Sequence, residues 1–259
     1  MTSKLITFSG FDPCGGAGIQ ADIEAIGALG GHALPIITTS TVQNTQNITQ
    51  CLSTSVDLFE QQIAKLEEDI EFDGIKIGLL GNINITQAVI RFIQRHNNLP
   101  VVLDPVLASG AGNPLAAKDL IEYIKSELLP LVTIVTPNSL EARRLTTTNN
   151  SLDQCGEALL TTGCCHVLIT GTHENEQQVN HRLYTHHQTT NLLSYERLIG
   201  EYHGSGCTLA AAIAFYLTQT SSVETAITQA QQYCWHSLKH GRRIGKGQTI
   251  PNRFYNFTR

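Results

Sequence analysis

The residue types best suited to chemistry lie in one short turn in front of an apolar run. Gly204-Ser205-Gly206-Cys207-Thr208 is followed at once by the apolar residues 209–215. The glycines allow a tight turn close to a ligand, and the run predicts a buried helix that begins at or near Cys207. Unpaired N–H groups at such a helix end attract anions, and the same field lowers the pKa of a cysteine from about 8.5. The turn therefore predicts an anion site with Cys207 as a base beside it, although a plain glycine turn before a core helix is the alternative.

Further candidate residues stand at the ends of apolar runs that predict short parallel strands. In such sheets, ligands bind beyond the carboxyl ends of the strands. The residues at these ends are Gly10, Gln43, Asp104, Asn138 and Thr170. Asp104 suits a magnesium–phosphate site, because Mg²⁺ needs only one or two carboxylates and takes its other ligands from water and phosphate oxygens. The alternative is that Asp104 is a turn residue or a helix cap. Asn138 and Glu141 either face one ligand together or form a helix-capping pair.

Two side chains are candidates for contact with a small organic substrate. Asp22 lies in the first predicted helix. We expect it either to contact a hydroxyl or amine of the substrate or to be a solvent-facing helix residue. Gln43 offers one acceptor and two donors, which suit the edge of a heteroaromatic ring, or it lies in a surface turn. The ten histidines show no metal-ligand spacing, and no G-x-S-x-G surrounds Ser205, which argues against a zinc site and a hydrolase.

The elements that must position these residues alternate regularly along the chain. The predicted strands are 4–9, 34–45, 74–78, 101–103, 132–135 and 167–170, with a small antiparallel pair at 182–185 and 192–195. The predicted helices are 19–29, 58–70, 86–96, 117–128, 140–145, 153–163, the Cys207 helix and 223–241. This alternation predicts an α/β fold with a mostly parallel central sheet, helices on both faces and a small antiparallel addition. No linker or repeat interrupts it, so we expect a single domain over residues 1–259.

Composition indicates which partners the protein lacks and in which cellular compartment we expect it. The 259 residues carry a net charge of −5 without a basic stripe, which disfavours nucleic acid. No apolar stretch approaches the roughly 18 residues of a membrane helix. Seven cysteines without framework spacing indicate buried thiols in a reducing compartment, and we expect a cytoplasmic protein. The loop at 15–18 lacks the G-x-G-x-x-G spacing of a dinucleotide site, which argues against a dehydrogenase.

Six stretches in this order together resemble the hydroxymethylpyrimidine/phosphomethylpyrimidine kinases of thiamine biosynthesis, within the ribokinase-like superfamily. They are Ser9-Gly10-Phe11-Asp12-Pro13 with Gly15-Gly16-Ala17-Gly18-Ile19-Gln20-Ala21-Asp22, Val42-Gln43-Asn44-Thr45, Lys76-Ile77-Gly78-Leu79-Leu80, Val102-Leu103-Asp104-Pro105-Val106, Thr136-Pro137-Asn138-Ser139-Leu140-Glu141-Ala142 and His203-Gly204-Ser205-Gly206-Cys207-Thr208-Leu209. The resemblance extends from residue 4 to about residue 240. The cysteine in the last stretch occupies the place where sugar kinases of the superfamily carry an aspartate.

The resemblance implies a kinase that uses ATP and Mg²⁺ to phosphorylate 4-amino-5-hydroxymethyl-2-methylpyrimidine and then its monophosphate, often as a homodimer. The implied pyrimidine contacts are Gly10, Asp22, Gln43 and Val106. The implied catalytic residues are Cys207 as base and the amides of Gly204, Ser205 and Gly206. Asp104 and Glu141 are implied for Mg²⁺, and Asn138, Glu141, Thr170 and Gly171 for the ATP phosphates. A pyridoxal kinase and a non-catalytic vitamin-binding protein on the same fold are the alternatives; turnover with each substrate separates them.

The chain departs from the family pattern at two positions near the expected phosphates. Thr170 stands where family members usually carry a lysine, so Thr170-Gly171 is interpreted as a Thr-Gly phosphate contact of the kind other superfamily kinases use. Gly110 likewise stands where some members place a lysine. The loss of two cations is expected to weaken the second phosphorylation, whose substrate is already an anion.

Overall fold

The computed structural model describes residues 2–109, 112, 114–146, 151–186 and 189–257, except for the side chains of 189–193. Gly110, one of the two positions that depart from the family pattern, lies outside the described residues.

One sheet contains all nine strands of the described part of the chain. The strands are β1 (Lys4–Phe11), β2 (His32–Gln43), β3 (Ile48–Ser53), β4 (Gly74–Ile77), β5 (Val101–Leu103), β6 (Ile134–Val135), β7 (His166–Thr170), β8 (Gln178–Thr185) and β9 (Thr189–Glu196). Their order is β3-β2-β1-β4-β5-β6-β7-β8-β9. The run from β2 to β7 is parallel, while β3 pairs antiparallel with β2, β8 with β7, and β9 with β8.

Eight α-helices connect and cover these strands in the described residues. They are α1 (Gly18–Ala28), α2 (Val56–Glu67), α3 (Ile83–Arg95), α4 (Lys118–Tyr123), α5 (Ser139–Thr146), α6 (Leu152–Leu160), α7 (Ser205–Leu217) and α8 (Val223–Lys239). Helix α4 continues into a π-helical turn at Ile124–Leu128 and a 3-10 turn at Leu129–Leu131. None of the helices in the described ranges is long and apolar enough to cross a membrane.

The sheet separates two buried apolar clusters, because neighbouring strand residues point to opposite faces. In β5, Val102 joins the cluster under α1, α7 and α8, whereas Val101 and Leu103 join the cluster under α2 to α6. Leu5 and Ile6 of β1 divide in the same way. Burial on both faces explains why these strands are short continuous apolar runs in the sequence.

The predicted fold class is confirmed, and two details differ from the sequence prediction. Strand β3 was not predicted because its side chains are mostly exposed and its sequence shows no apolar alternation. Helix α7 begins at Ser205, two residues before the predicted start, since its N-cap is Gly204, which adopts the left-handed conformation.

Candidate active site

The predicted site residues gather where the parallel strands end, at the point where the strand order reverses. Strand β1 lies between β2 and β4, so the chain continues from β1 to β2 on one side of it and later enters β4 on the other side. Such a switch point opens a crevice beyond the carboxyl ends of the strands. The N-termini of α1 and α7 meet at this crevice, and the Gly18 amide at the start of α1 donates to Cys207 of α7.

Both of these helices begin without a side-chain cap. The N-cap residues are Ala17 and Gly204, and neither helix carries an acidic residue in its first turn. Five other helices, α2, α3, α5, α6 and α8, are capped by Ser55, Asn82, Asn138, Ser151 and Ser222. The first amides of α7, and those of α1 after Gly18, therefore remain available for an anion, as the sequence predicts for the turn at 204–207. We call residues 204–207 the anion cradle and residues 12–18 the glycine loop.

The anion cradle and the glycine loop are in direct backbone contact. Gly204 has a φ of +85°, and a Cβ built on it would lie 1.9 Å from the Gly16 carbonyl oxygen. Only glycine fits both the left-handed conformation and this contact. Gly206 is exposed, and a Cβ there would lie 3.6 Å from Asp104 Oδ1, so the Asp104 carboxylate faces the first turn of α7.

The prediction of a lowered pKa for the Cys207 thiol is wrong, because the structure raises this pKa. The Cys207 side chain is buried, with 9% of the residue exposed. Burial and then the charge of Asp104 raise the pKa of Cys207, and these effects outweigh the opposing charge of Lys76 and the hydrogen bond from the Gly18 amide. A helix end favours a thiolate, but here desolvation disfavours it more strongly. The resting protein therefore holds Cys207 as a thiol.

Asp104 and Glu141 form a buried pair of carboxyl groups that suits a divalent cation. Burial raises the pKa of Asp104, opposed by the charge of Lys76 and a hydrogen bond with Cys207. Burial and then the charge of Asp104 raise the pKa of Glu141. Asp104 Oδ2 is buried and has no hydrogen-bond partner among the described residues. A buried carboxyl group whose pKa is raised by a neighbouring carboxylate, together with an unpartnered oxygen on that neighbour, fits the hard oxygen ligands of Mg²⁺.

Asn138 and Glu141 also form the capping pair that was the plain alternative for them. The Glu141 amide donates to Asn138 Oδ1 over 2.9 Å, and the Asn138 amide donates to Glu141 Oε2 over 2.9 Å. This reciprocal cap fixes both side chains at the start of α5. Their contact with ATP phosphates or Mg²⁺ remains a prediction.

Thr170 and Gly171 lie beside that cap, at the end of β7. The Thr170 amide donates to the Pro137 carbonyl over 3.0 Å, next to Asn138. Only 8% of Thr170 is exposed, and a Cβ on Gly171 would lie 2.2 Å from the Asn180 carbonyl oxygen of β8. The pair is therefore held tightly at the carboxyl edge, where the sequence places it.

Three of the predicted pyrimidine contacts line the same edge nearer β2. Gly10 is part of β1, and a Cβ there would lie 3.0 Å from Leu79 Cδ2. Gln43 ends β2 half-buried, with its Nε2 donating to Thr41 Oγ1 over 2.7 Å. Val106 is half-buried two residues after Asp104. The ligand contacts of Gly10, Gln43 and Val106 remain predictions.

Asp22, the fourth predicted contact, is enclosed in a charged network that sequence reasoning missed. Its Oδ1 lies 2.7 Å from Lys76 Nζ, and its Oδ2 accepts a hydrogen bond of 2.6 Å from Ser9 Oγ. Asp22 and Lys76 are both fully buried. Burial alone would lower the pKa of Lys76, but the charge of Asp22 reverses this and the pKa lies above its ordinary value. The signal was a single lysine inside the apolar strand β4.

The Asp22–Lys76 ion pair gives a direct prediction for stability. We expect Lys76→Met to destabilise the protein by about 3–5 kcal/mol, because it leaves a buried carboxylate without a counter-charge. The double variant Lys76→Met/Asp22→Asn removes both charges and should recover much of that loss. Urea unfolding of the three proteins measures the effect. An additive loss in the double variant would contradict the pairing.

A second missed contact fixes the glycine loop itself. Asp12 Oδ2 accepts hydrogen bonds from the Gly16 and Ala17 amides and lies 2.8 Å from His203 Nε2. Burial would raise the pKa of Asp12, but hydrogen bonds from His203 and Cys14 outweigh it and hold the pKa at about 2. His203 directly precedes the anion cradle, so its contact with Asp12 joins the loop to the cradle.

Solved structures with the same fold define the class of protein. The chain superposes with a TM-score of 0.89 on an ADP complex of pyridoxal kinase from Bacillus subtilis, with 25% identity over 98% of each chain. It superposes with a TM-score of 0.79 on phosphomethylpyrimidine kinase from Clostridium difficile 630, with 28% identity over 90% of this chain and 98% of the other. The fold is that of a ribokinase-like phosphotransferase.

Sequence comparison then gives the family. The family model described as phosphomethylpyrimidine kinase matches residues 12–252. Hydroxymethylpyrimidine/phosphomethylpyrimidine kinase of Escherichia coli K12 is 31% identical over 95% of each chain. The Salmonella typhimurium LT2 protein of the same name is 33% identical over 97% of each chain. The chain belongs to the phosphomethylpyrimidine kinase family.

Proposed function

We propose that this chain transfers the γ-phosphoryl group of ATP to the hydroxymethyl oxygen of 4-amino-5-hydroxymethyl-2-methylpyrimidine, and then a second group to the monophosphate, in thiamine biosynthesis. The observation that carries the proposal is the meeting of two uncapped helix N-termini at Cys207, beside the Asp104 and Glu141 carboxyl groups. Family membership supports the choice of substrate.

The anion cradle supplies most of the catalysis in this proposal. The transferring phosphoryl group carries its charge on peripheral oxygens, so fixed N–H donors lower the barrier without rearranging during the reaction. The amides of Ser205, Gly206 and Cys207 lie in the first turn of α7, where helix geometry leaves them without intrahelical partners. We assign them to the oxygens of the transferred group.

Cys207 takes the proton of the hydroxymethyl group. Its thiol is neutral in the resting protein, so the thiol proton first passes to bulk water, and the resulting thiolate then accepts the hydroxymethyl proton and becomes a thiol again. Lys76 is the fixed cation that opposes the effect of Asp104 on this sulfur. Because transfer from ATP has a loose transition state, the hydroxyl proton leaves late and a strong base is not required.

Asp104 and Glu141 would hold Mg²⁺ in the chemistry we propose. When bound, Mg²⁺ neutralises phosphate charge and orients the phosphate chain. Asp104 offers the unpartnered oxygen Oδ2, and the Asn138 cap holds Glu141 facing it. Asn138, Thr170 and Gly171 bind the phosphates of ATP at the ends of β6 and β7.

The pyrimidine lies between β1, β2 and β5 in this proposal. Gln43 reads the ring edge, while Gly10 and Val106 provide close apolar walls. Asp22 is fully buried and its two carboxylate oxygens are held by Lys76 and Ser9. It therefore supports this pocket from inside the fold and, contrary to the sequence prediction, does not contact the substrate hydroxyl or amine.

Pyridoxal phosphorylation is the second candidate activity. The likeness in fold to a pyridoxal kinase favours it, and pyridoxal also carries a hydroxymethyl group on a heteroaromatic ring. Steady-state turnover with the pyrimidine and with pyridoxal at equal concentration decides between them.

Thr170 gives a prediction for the second phosphorylation. We expect Thr170→Lys to raise kcat/KM for the pyrimidine monophosphate by about tenfold, since a charge-assisted contact to phosphate is worth roughly 1.5 kcal/mol or more. The value for the unphosphorylated pyrimidine should change less. Thr170→Met, of similar length without charge, is the control. An equal gain with methionine would contradict a role for charge.

We also propose that the protein is a single kinase domain that works as a cytoplasmic homodimer. The β2–β3 arm supports the dimer, because Val42 and Leu52 are 52% and 56% exposed on neighbouring strands at the sheet edge. All seven cysteines are free thiols, including the exposed Cys51 and Cys165, which suits a reducing compartment. Sedimentation velocity of wild type and of Val42→Glu tests the dimer.

Mass spectrometry of the reaction tests the proposed function. The purified chain is incubated with the pyrimidine and ATP, with Mg²⁺ or with excess EDTA. The proposal expects the monophosphate first and the diphosphate later, only with Mg²⁺. Formation of neither product by a folded protein would contradict it.

A further inference from the structure

A fully buried arginine near the C-terminus links the parts of the site. Arg253 is 1% exposed and lies one residue past the stretch that the family model matches. Its segment is anchored on α8, because Tyr233 Oη donates to the Arg253 carbonyl over 2.9 Å and the Asn252 amide donates to Ser237 over 2.9 Å. The guanidinium is therefore held in place from behind.

Each guanidinium nitrogen contacts a different part of the site's scaffold. Nε donates to Thr208 Oγ1 in α7 over 2.9 Å. Nη1 lies 3.0 Å from Glu24 Oε2 in α1, and Nη2 donates to the Gly16 carbonyl in the glycine loop. A planar guanidinium fixes the angles between such partners, which the single ammonium of lysine does not.

Two of these contacts lie at the place where the glycine loop meets the anion cradle. Thr208 Oγ1, which accepts from Arg253, in turn donates a hydrogen bond of 2.8 Å to the Gly204 carbonyl. The Gly16 carbonyl is the atom that a Cβ on Gly204 would strike. Arg253 therefore binds both sides of the backbone contact between the glycine loop and the anion cradle.

We propose that Arg253 is a positioning residue for phosphoryl transfer, which sets the spacing between the glycine loop and the anion cradle without touching the substrate. This proposal rests on the function proposed above, because the cradle amides must be aimed at the transferring group. A displacement of about 1 Å in such a group can cost about 10²-fold in rate.

The first test separates positioning from general stability. Arg253→Met keeps the apolar stem, and we expect kcat to fall about 100-fold while KM for the pyrimidine changes less than about threefold. Arg253→Lys should recover only part of the rate, and methylguanidine added to Arg253→Ala should recover more. Tyr184→Phe, which removes a buried hydroxyl that bonds Asp153, is the stability control and should keep kcat.

The second test uses the hydroxyl between Arg253 and Gly204. Thr208→Val should lower kcat and Thr208→Ser should not, since serine keeps the hydroxyl. In the double variant Arg253→Met/Thr208→Val, the losses in log kcat should be less than additive, because both changes break one connection. Additive losses, a loss confined to KM, or full kcat in folded Arg253→Met would overturn the proposal.

A readout without substrate keeps this test independent of the proposed function. Hydrogen exchange in Arg253→Met should accelerate at residues 16–18 and 204–208 and stay unchanged in α2 and α3. If wild type phosphorylates no pyrimidine but this pattern is found, the proposed function fails and the positioning contact stands. Uniformly faster hydrogen exchange across the chain would show that Arg253 contributes only to general stability, which would overturn the proposal.

Discussion

We expect Cys207→Ala to lower kcat for pyrimidine phosphorylation by about 10²–10⁴-fold, the usual contribution of a positioned acid or base. Pyrimidine binding should persist, because the ring contacts that we propose lie on β1, on β2 and just after β5. Titration calorimetry with the pyrimidine and steady-state kinetics measure the two effects separately. Loss of both in a folded variant would contradict a role confined to catalysis.

The pH dependence of the same variant tests the proton transfer itself. Burial and Asp104 raise the pKa of Cys207, so the basic form grows only above the ordinary thiol range of about 8.5. In wild type, kcat should therefore still rise with pH beyond 8.5, and this rise should vanish in Cys207→Ala. Cys155→Ala, which removes a buried thiol on the other face of the sheet, should keep the wild-type profile.

Gly204→Ala is expected to have the largest effect among changes in the anion cradle. A left-handed φ costs a non-glycine residue about 1–2 kcal/mol, and the new Cβ would overlap the Gly16 carbonyl. The contact between cradle and glycine loop must open, so we expect a loss of at least about 2 kcal/mol in stability and about 10²-fold in kcat. Urea unfolding and kinetics on one preparation give both values.

Two other glycines separate the causes of that loss. Gly200 has a φ of +107° with no atom within 4 Å of a Cβ, so Gly200→Ala measures backbone strain alone. Gly206 has an ordinary φ, and its Cβ would make a normal 3.6 Å contact with Asp104, so Gly206→Ala should leave stability within about 1 kcal/mol. A Gly204→Ala protein as stable as Gly200→Ala would show that the loop contact is unimportant.

The sequence predicts those parts of the site that depend on local pattern. Asp104 directly follows a buried strand and Asn138 precedes a helix, so their position at the carboxyl edge follows from parallel strand order alone. The glycines of the anion cradle are predictable for the same reason, because the apolar run behind them requires a helix start.

The missed features depend on long-range contacts or on depth of burial. Arg253 meets partners 45, 229 and 237 residues away, and no local pattern marks them. The pKa of Cys207 depends on how deeply α7 is buried and on the nearby Asp104, neither of which a helix-end argument contains. Lys76 was detectable, since a lysine inside an apolar strand requires a buried partner.

A crystal structure with the pyrimidine, ADP, Mg²⁺ and aluminium fluoride is the most direct test of the central claim that the start of α7 receives the transferring group. Aluminium fluoride mimics the phosphoryl group in the transition state of its transfer. It should lie within about 3 Å of the amide nitrogens of Ser205, Gly206 and Cys207, with the hydroxymethyl oxygen next to Cys207 Sγ. A fluoride complex bound away from these amides, or a hydroxymethyl group turned away from the sulfur, would contradict the claim.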